Sequence, residues 1–360
     1  MTIAPVPYPA TLLPGWRHNH DTLPDRPSSL DWNEYKCLDP ASQQQHDEAR
    51  LHWLARGLLV RTDGHRRARH LLLSALEDNR YAGKGEQGVM LVGEPKLGKT
   101  TLARSMGHAL EARWSDKGFD YRGLGQVPVV AVDAPSNGSG KALCTAIDVF
   151  FNPETPPVAR MTFDEILRNV CHKLRAHGTQ LLIIDEAQLL ARRHDSHGDP
   201  TDVIKLIQNN TPTTVLLSGI NLLDSQVFGT RRGAQVVDRC GHVLLEPIVG
   251  STDESAEEWD QIVDDFDSNL PLIDHDPGLL LENANVLHEA TGGRIGHLSD
   301  IIRSIVRSVL ADPERPNEKL TTTLLSEAAS RHVLNVPPAA VRRTPAKIAP
   351  KRRKKVLADA

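Results

Sequence analysis

The chain has 360 residues, long enough for one large domain and a smaller one, each around its own core. A formal net charge of −4 excludes a globally basic nucleic-acid binder, and no apolar run approaches the ~20 residues needed to span a bilayer. Cys37, Cys144, Cys171 and Cys240 stand far apart without a CxxC pair, so their spacing encodes neither a disulfide framework nor a zinc site. The first residues, MTIAPVPYPATLLPGW, lack a charged stretch followed by an apolar core, so a cytoplasmic protein is expected.

Residues 1–45 are rich in Pro, Asp, Ser and Gln and show no sustained period, which reads as a partly ordered arm. From Asp47 to Asn79, Leu51, Leu54, Leu58, Leu72 and Leu76 recur near helical spacing, broken at Thr62-Asp63-Gly64; two helices are expected there. A short strand, Gly88 to Val92, follows. Strand candidates at 127–132, 181–184, 214–217 and 242–245 then alternate with helical stretches at 143–151, 163–177 and 203–209. Alternation of this kind predicts an α/β domain on a parallel sheet, and the continuously apolar runs VPVVAV and LLII suit strands buried on both faces. After Pro247 the pattern turns helical, at 259–266, 278–291, 295–310 and 322–333. The predicted organisation is an arm over 1–45, an α/β domain over 46–250, a small helical lid over 251–335 and a basic, disordered tail over 336–360. Acidic residues dominate from Ser251 to Asp276, whereas Arg342-Arg343 and Lys351 to Lys355 are basic, so any nucleic-acid contact must be local.

The sharpest motif is Gly93-Glu94-Pro95-Lys96-Leu97-Gly98-Lys99-Thr100, a complete GxxxxGK[ST] between an apolar strand and a helix-compatible stretch that starts at Thr101. Its glycines let backbone N–H groups approach phosphates, and the helix that follows turns its positive end towards the same anion. Lys99 is expected on the β/γ-phosphates of ATP, with the Thr100 hydroxyl on Mg²⁺. Four apolar residues, Leu181 to Ile184, then lead to Asp185 and Glu186. Asp185 is placed on the magnesium side of the loop, and Glu186 is the expected base for the attacking water.

Hydrolysis also needs groups that position water and offset charge on the transferring phosphoryl. After the strand ending at Leu217, Asn221 is preferred for sensing the γ-phosphate, with Ser218 close behind; a turn or helix-capping asparagine is the competing reading. Arg231, Arg232 and Arg239 precede the last strand, and Arg239 is favoured as a finger reaching a neighbouring subunit's ATP, against a solvated or paired arginine. Arg294, in Gly292-Gly293-Arg294-Ile295-Gly296, is expected at the start of a lid helix as a candidate second sensor, a basic residue on an exposed turn being the competing reading.

Together the Gly93 to Thr100 loop, Pro128 to Val132 followed by Asp133-Ala134-Pro135, Leu181 to Gln188, the Trp259 to Leu272 segment with its Leu270-Pro271-Leu272, and Gly293 to Leu298 resemble the TniB/TnsC family of transposition ATPases over residues 60–330. The resemblance implies a P-loop AAA+ ATPase. It would assemble as a homo-oligomeric ring or filament on duplex DNA in its ATP state, answer to a target selector, recruit a DDE-type transposase and be reset by hydrolysis. Two features depart from the family. Its lid turn often carries an apolar residue where Arg294 stands, and the arm and tail have no counterpart in it.

For DNA, the polar glycine segment Ser136 to Gly140 with Lys141 suits a backbone contact without base readout, an ordinary connection being the alternative. Arg66, Arg67, Arg69 and His70, and the tail cations, read more simply as solvated charge. His194, Asp195, His197 and Asp199 read as a polar loop rather than a metal site. Competing functions are a signalling or defence switch that does not bind DNA and a helicase loader.

Overall fold

In the computed structural model, the structure describes residues 8–331 apart from 58, 119, 137, 154–160, 191–197, 276 and 313–316. The tail over 336–360, Asn137, and His194, Asp195 and His197 lie outside the described residues.

The amino-terminal segment holds α1 (Leu13–Asp21), α2 (Trp32–Cys37) and α3 (Pro40–His52), which runs into a π-helical turn, Trp53–Gly57. Next, α4 (Asp63–Ala82) starts at Thr62, whose hydroxyl accepts from the His65 amide while His65 Nδ1 accepts from the Thr62 amide. The break read at Thr62-Asp63-Gly64 is therefore a helix cap.

Five strands follow, β1 (Gly88–Gly93), β2 (Val129–Asp133), β3 (Leu181–Asp185), β4 (Thr214–Gly219) and β5 (Cys240–Leu245), all parallel in the order β2-β3-β4-β1-β5. Between them run α5 (Lys99–Ser115), α6 (Gly140–Phe151), α7 (Phe163–Ala176), α8 (Pro200–Asn210) and α9 (Arg231–Val237), with 3₁₀ turns at Ala187–Leu189 and Leu222–Asp224. Every residue of β1, β3 and β4 is buried, as their unbroken apolar runs require, whereas the edge strand β5 exposes Leu244. In this order β4 lies between the strand that feeds the phosphate loop and the strand that ends in Asp185.

Beyond residue 250 come α10 (Asp253–Ser268), α11 (Leu279–Glu282), α12 (Ala284–Thr291), α13 (Ile295–Leu310) and α14 (Thr322–Arg331). The single helix expected over 278–291 is two, divided at Asn283. These helices close over a second core centred on Trp259, Phe266, Leu270, Leu287 and Ile301, and Trp259 Nε1 donates to the Ala284 carbonyl at 2.9 Å. The fold is thus a parallel α/β domain followed by a helical lid.

The arm expected over 1–45 and the residues just after it, which the sequence assigns to the α/β domain, together bridge the two cores. Trp16 is fully buried in the sheet domain, stacks on His108 of α5 at 4.2 Å between ring centres, and donates to Glu111 Oε2 at 2.5 Å. Leu54 and Val60 instead belong to the lid core, and the buried Arg50 bonds Glu318 and the Pro271 carbonyl.

Candidate nucleotide site

The carboxyl ends of parallel strands are where α/β sheets bind ligands, and the predicted motifs meet there. Gly93 ends β1, and the loop returns to α5 through Gly98, whose φ of +84° is left-handed, a conformation costly for a residue with a Cβ. That turn aims the first amides of the 17-residue α5 back across the loop. Lys99 Nζ, on a residue only 8% exposed, donates to the carbonyls of Gly93 at 2.8 Å and Glu94 at 2.7 Å, so the ammonium sits inside the curl of the loop. Burial pulls the Lys99 pKa below that of an ordinary lysine, opposed by Glu186, Asp185 and Glu94.

Asp185 is buried at the end of β3, its Oδ1 accepting from the Glu186 amide at 2.9 Å. Glu186 itself turns out to solvent in a left-handed conformation, φ +53°. In register with Asp185 stands Asp133 at the end of β2. Burial pushes the Asp133 carboxyl above the usual range; Arg104, 3.9 Å away, opposes this, and the charges of Asp185 and Glu186 add to it. Sequence reasoning passed over Asp133, although an acidic residue closing an apolar strand is the same signal that marked Asp185. It also missed His65, buried at the start of α4 about a van der Waals contact from where a side chain on Gly98 would begin.

The two sensor candidates separate. The register Ile184↔Leu217 carries Ser218 to the level of Asp185, where it is fully buried and its Oγ has no hydrogen-bond partner among the described residues. Asn221 lies further on, exposed in the turn after β4 with φ +46°.

The lid lies directly against the phosphate loop. Arg294 Nη2 meets Glu94 Oε2 at 2.5 Å, the Gly296 amide donates to the Lys96 carbonyl at 2.8 Å, and Lys96 Nζ reaches Asp300 at 2.8 Å. The two ion pairs have opposite polarity across one seam: loop carboxylate to lid guanidinium, and loop ammonium to lid carboxylate.

Two residues lie elsewhere. Arg239 sits just before the amino end of β5, one residue ahead of the Cys240 that pairs with Gly88, about 20 Å along the strand from the level of Gly93 at ~3.3 Å per residue. There its Nη1 donates to Asn209 at 2.8 Å, while Arg231 and Arg232 are exposed on the first turn of α9. Lys141 is on the first turn of α6, not in a loop, because Ser139 caps the helix by accepting from the Ala142 amide; its Nζ donates to the Met161 carbonyl at 2.7 Å. Asp199 likewise caps α8. Among the described residues no cluster of three or more His, Cys, Asp or Glu side chains could hold a metal, and no helix is long and apolar enough to cross a membrane. The four cysteines are free thiols, and burial pushes Cys240 up to about 12.

A strand, phosphate loop and helix joined to an acidic strand end define a P-loop nucleotide-binding fold. In agreement, the family model described as "AAA domain" matches residues 82–227. The fold is similar to the ORC2 protein of Aeropyrum pernix in its ADPNP–ADP complexes, at 18% identity and a TM-score of 0.55, covering 73% of this chain and 66% of that one. It is also similar to Cdc6p of Pyrobaculum aerophilum, at 16% identity and a TM-score of 0.52, covering 78% of this chain and 70% of that one. This chain therefore spans just under two thirds of the ORC2 length. No curated protein matches the sequence.

Proposed function

We propose that the protein is an ATP hydrolase whose nucleotide state sets the position of its lid. It would assemble on duplex DNA in the ATP state to present target DNA to a DDE-type transposase, with hydrolysis resetting the assembly. The observation that carries the enzymatic part is the convergence of Lys99, Asp185 and Glu186 at the carboxyl edge of the sheet, under a lid that grips the same loop through Arg294 and Gly296. Lys99 neutralises phosphate charge, the α5 amides cradle the phosphates, and Glu186 accepts the proton of the attacking water. The hydroxyl of Thr100 and the carboxylate of Asp185 are hard oxygen donors suited to magnesium, which would supply further charge neutralisation at the phosphate oxygens. An arriving γ-phosphate competes with Glu94 for Arg294, which gives the lid a reason to respond. Ser218, level with Asp185, and Asn221 are the two candidates for orienting the water.

The DNA and transposase parts rest on the resemblance of the loop, strand-end, Trp259 to Leu272 and lid-turn motifs to the TniB/TnsC family. One observation favours the second reading, an assembly switch that does not bind DNA: the Lys141 ammonium is already engaged by Met161. Sedimentation with ATP and magnesium, with and without duplex DNA, at two salt concentrations separates the readings. Assembly that DNA promotes and salt weakens steeply supports the first. ATP-driven assembly indifferent to DNA supports the second, and a chain that stays monomeric throughout removes both, along with Arg239 as a finger in trans.

A further inference from the structure

We infer that Gln188 is a positioning residue for hydrolysis, an amide bridge that fixes the Glu186 carboxylate to the main chain at the end of β4. The inference rests on Glu186 being the base, and it starts from two contacts of one side chain. Gln188 Oε1 accepts from the Ile220 amide at 3.1 Å, and Gln188 Nε2 donates to Glu186 Oε2. The main-chain donor decides which end of the amide is which: with the oxygen held by an N–H, the NH₂ must face the carboxylate. A Cβ on Gly219 would lie 2.3 Å from Gln188 Oε1, so a side chain there would push the Gln188 amide out of this position.

The bridge answers a problem that the backbone poses. Glu186 is exposed and follows a left-handed turn, so packing does little to hold its carboxylate. A base must keep its acceptor oxygen within hydrogen-bond reach of the water, and a displacement of about 1 Å can cost ~10² in rate. By engaging Oε2, the Gln188 amide leaves Oε1 to receive the proton. In the step itself, a water oxygen forms a bond to the γ-phosphorus as the bond from that phosphorus to the β-bridging oxygen breaks. The water proton passes to Glu186, and ADP departs with the electron pair. The other end of the bridge is anchored beside β4, the strand between the phosphate loop and Asp185, so the carboxylate takes its position from the same strand that carries Ser218.

The test is steady-state ATP hydrolysis by the full chain with magnesium over a range of pH, for wild type, Gln188→Leu, Gln188→Glu, Gly219→Ala and Glu186→Gln. Gln188→Leu should lower kcat about 10-fold with KM changed by less than about 2-fold. Gln188→Glu should be slow at neutral pH and regain activity on acidification, because only its protonated form can donate to Glu186. Gly219→Ala should reproduce the Gln188→Leu profile by displacing the amide. An unchanged kcat overturns the inference. So does a loss in which kcat, nucleotide affinity and melting temperature fall together, the mark of a structural role only. Normal turnover by Glu186→Gln removes the base and the inference with it, while a wild type that does not hydrolyse ATP removes the proposed function as well.

Discussion

The phosphate loop and the amino-terminal segment are built on opposite principles. The loop, from Gly93 to Thr100, is one contiguous stretch whose conformation follows from its own glycines and the helix it opens. Residues 8–57 cap their own helices but take their place in the molecule from distant partners. Trp16 bonds Glu111, Arg122 grips Asp21 through both nitrogens at 2.7 and 2.8 Å, and Arg303 donates to the Ala55 carbonyl at 3.1 Å. Arg56 ties the π-helical turn back to Asn19 at 2.7 Å. The segment is a strap with one end in the sheet domain and the other in the lid core, and the lid touches the loop from a third side. Chemistry is thus written locally, whereas the geometry between domains depends on pairs far apart in sequence.

Substitutions in the two regions should therefore fail differently. The largest effect is expected from Lys99→Ala, which should abolish ATP binding while circular dichroism and melting temperature stay near wild type; unchanged affinity in a fluorescent-nucleotide titration would defeat the site assignment. In the strap, Arg50→Ala removes the guanidinium that offsets the charge of the buried Glu318 and should cost about 3–5 kcal/mol in denaturant unfolding. Replacing both residues by apolar ones should cost much less, and equal losses for the single and double changes would show that the pair itself matters little.

Between these lies Glu186→Gln, expected to slow hydrolysis by about 10²-fold or more while ATP still binds. If the protein switches on DNA, its DNA-bound assemblies should also last longer, by dissociation kinetics.

A pH prediction sharpens the strap. Burial first, then the charges of His20, Arg56 and Arg104, lowers His108 to about 3. The unfolded chain binds this proton near pH 6.5 and the folded chain does not, so the stability is present above about pH 6.5 and is lost as pH falls towards 3. Between pH 7 and 5 the loss from this group is about 2 kcal/mol. His108→Phe should flatten that slope in urea unfolding, and an unaltered slope would place the acid sensitivity elsewhere.

The smallest effect is expected at the seam. Lys96 and Asp300 are partly exposed, so Asp300→Asn should change stability by only ~0.2–1 kcal/mol, and less at high salt. Arg294→Ala tests the same seam on function, through the ATP affinity ratio with and without γ-phosphate.

The parallel sheet, the lid, the phosphate loop and the Asp185 strand end were all legible in the sequence, because each is announced by residues within a few positions of one another. An unbroken LLII run has few options other than a strand buried on both faces, and GxxxxGKT leaves its loop little freedom. Three things required the tertiary structure. Residues 13–21 became a docked helix because Trp16 finds Glu111 and His108, which no local period foretells. Lys141 left the loop because Ser139 caps a helix that begins three residues before the apolar stretch at 143. Asp133 joined the candidate site because strand register puts it level with Asp185, and Gln188 because its amide meets Ile220 just past β4. Neighbour relations across a sheet are set by which strands pair, and a single sequence carries the ends of those pairs but not the pairing itself.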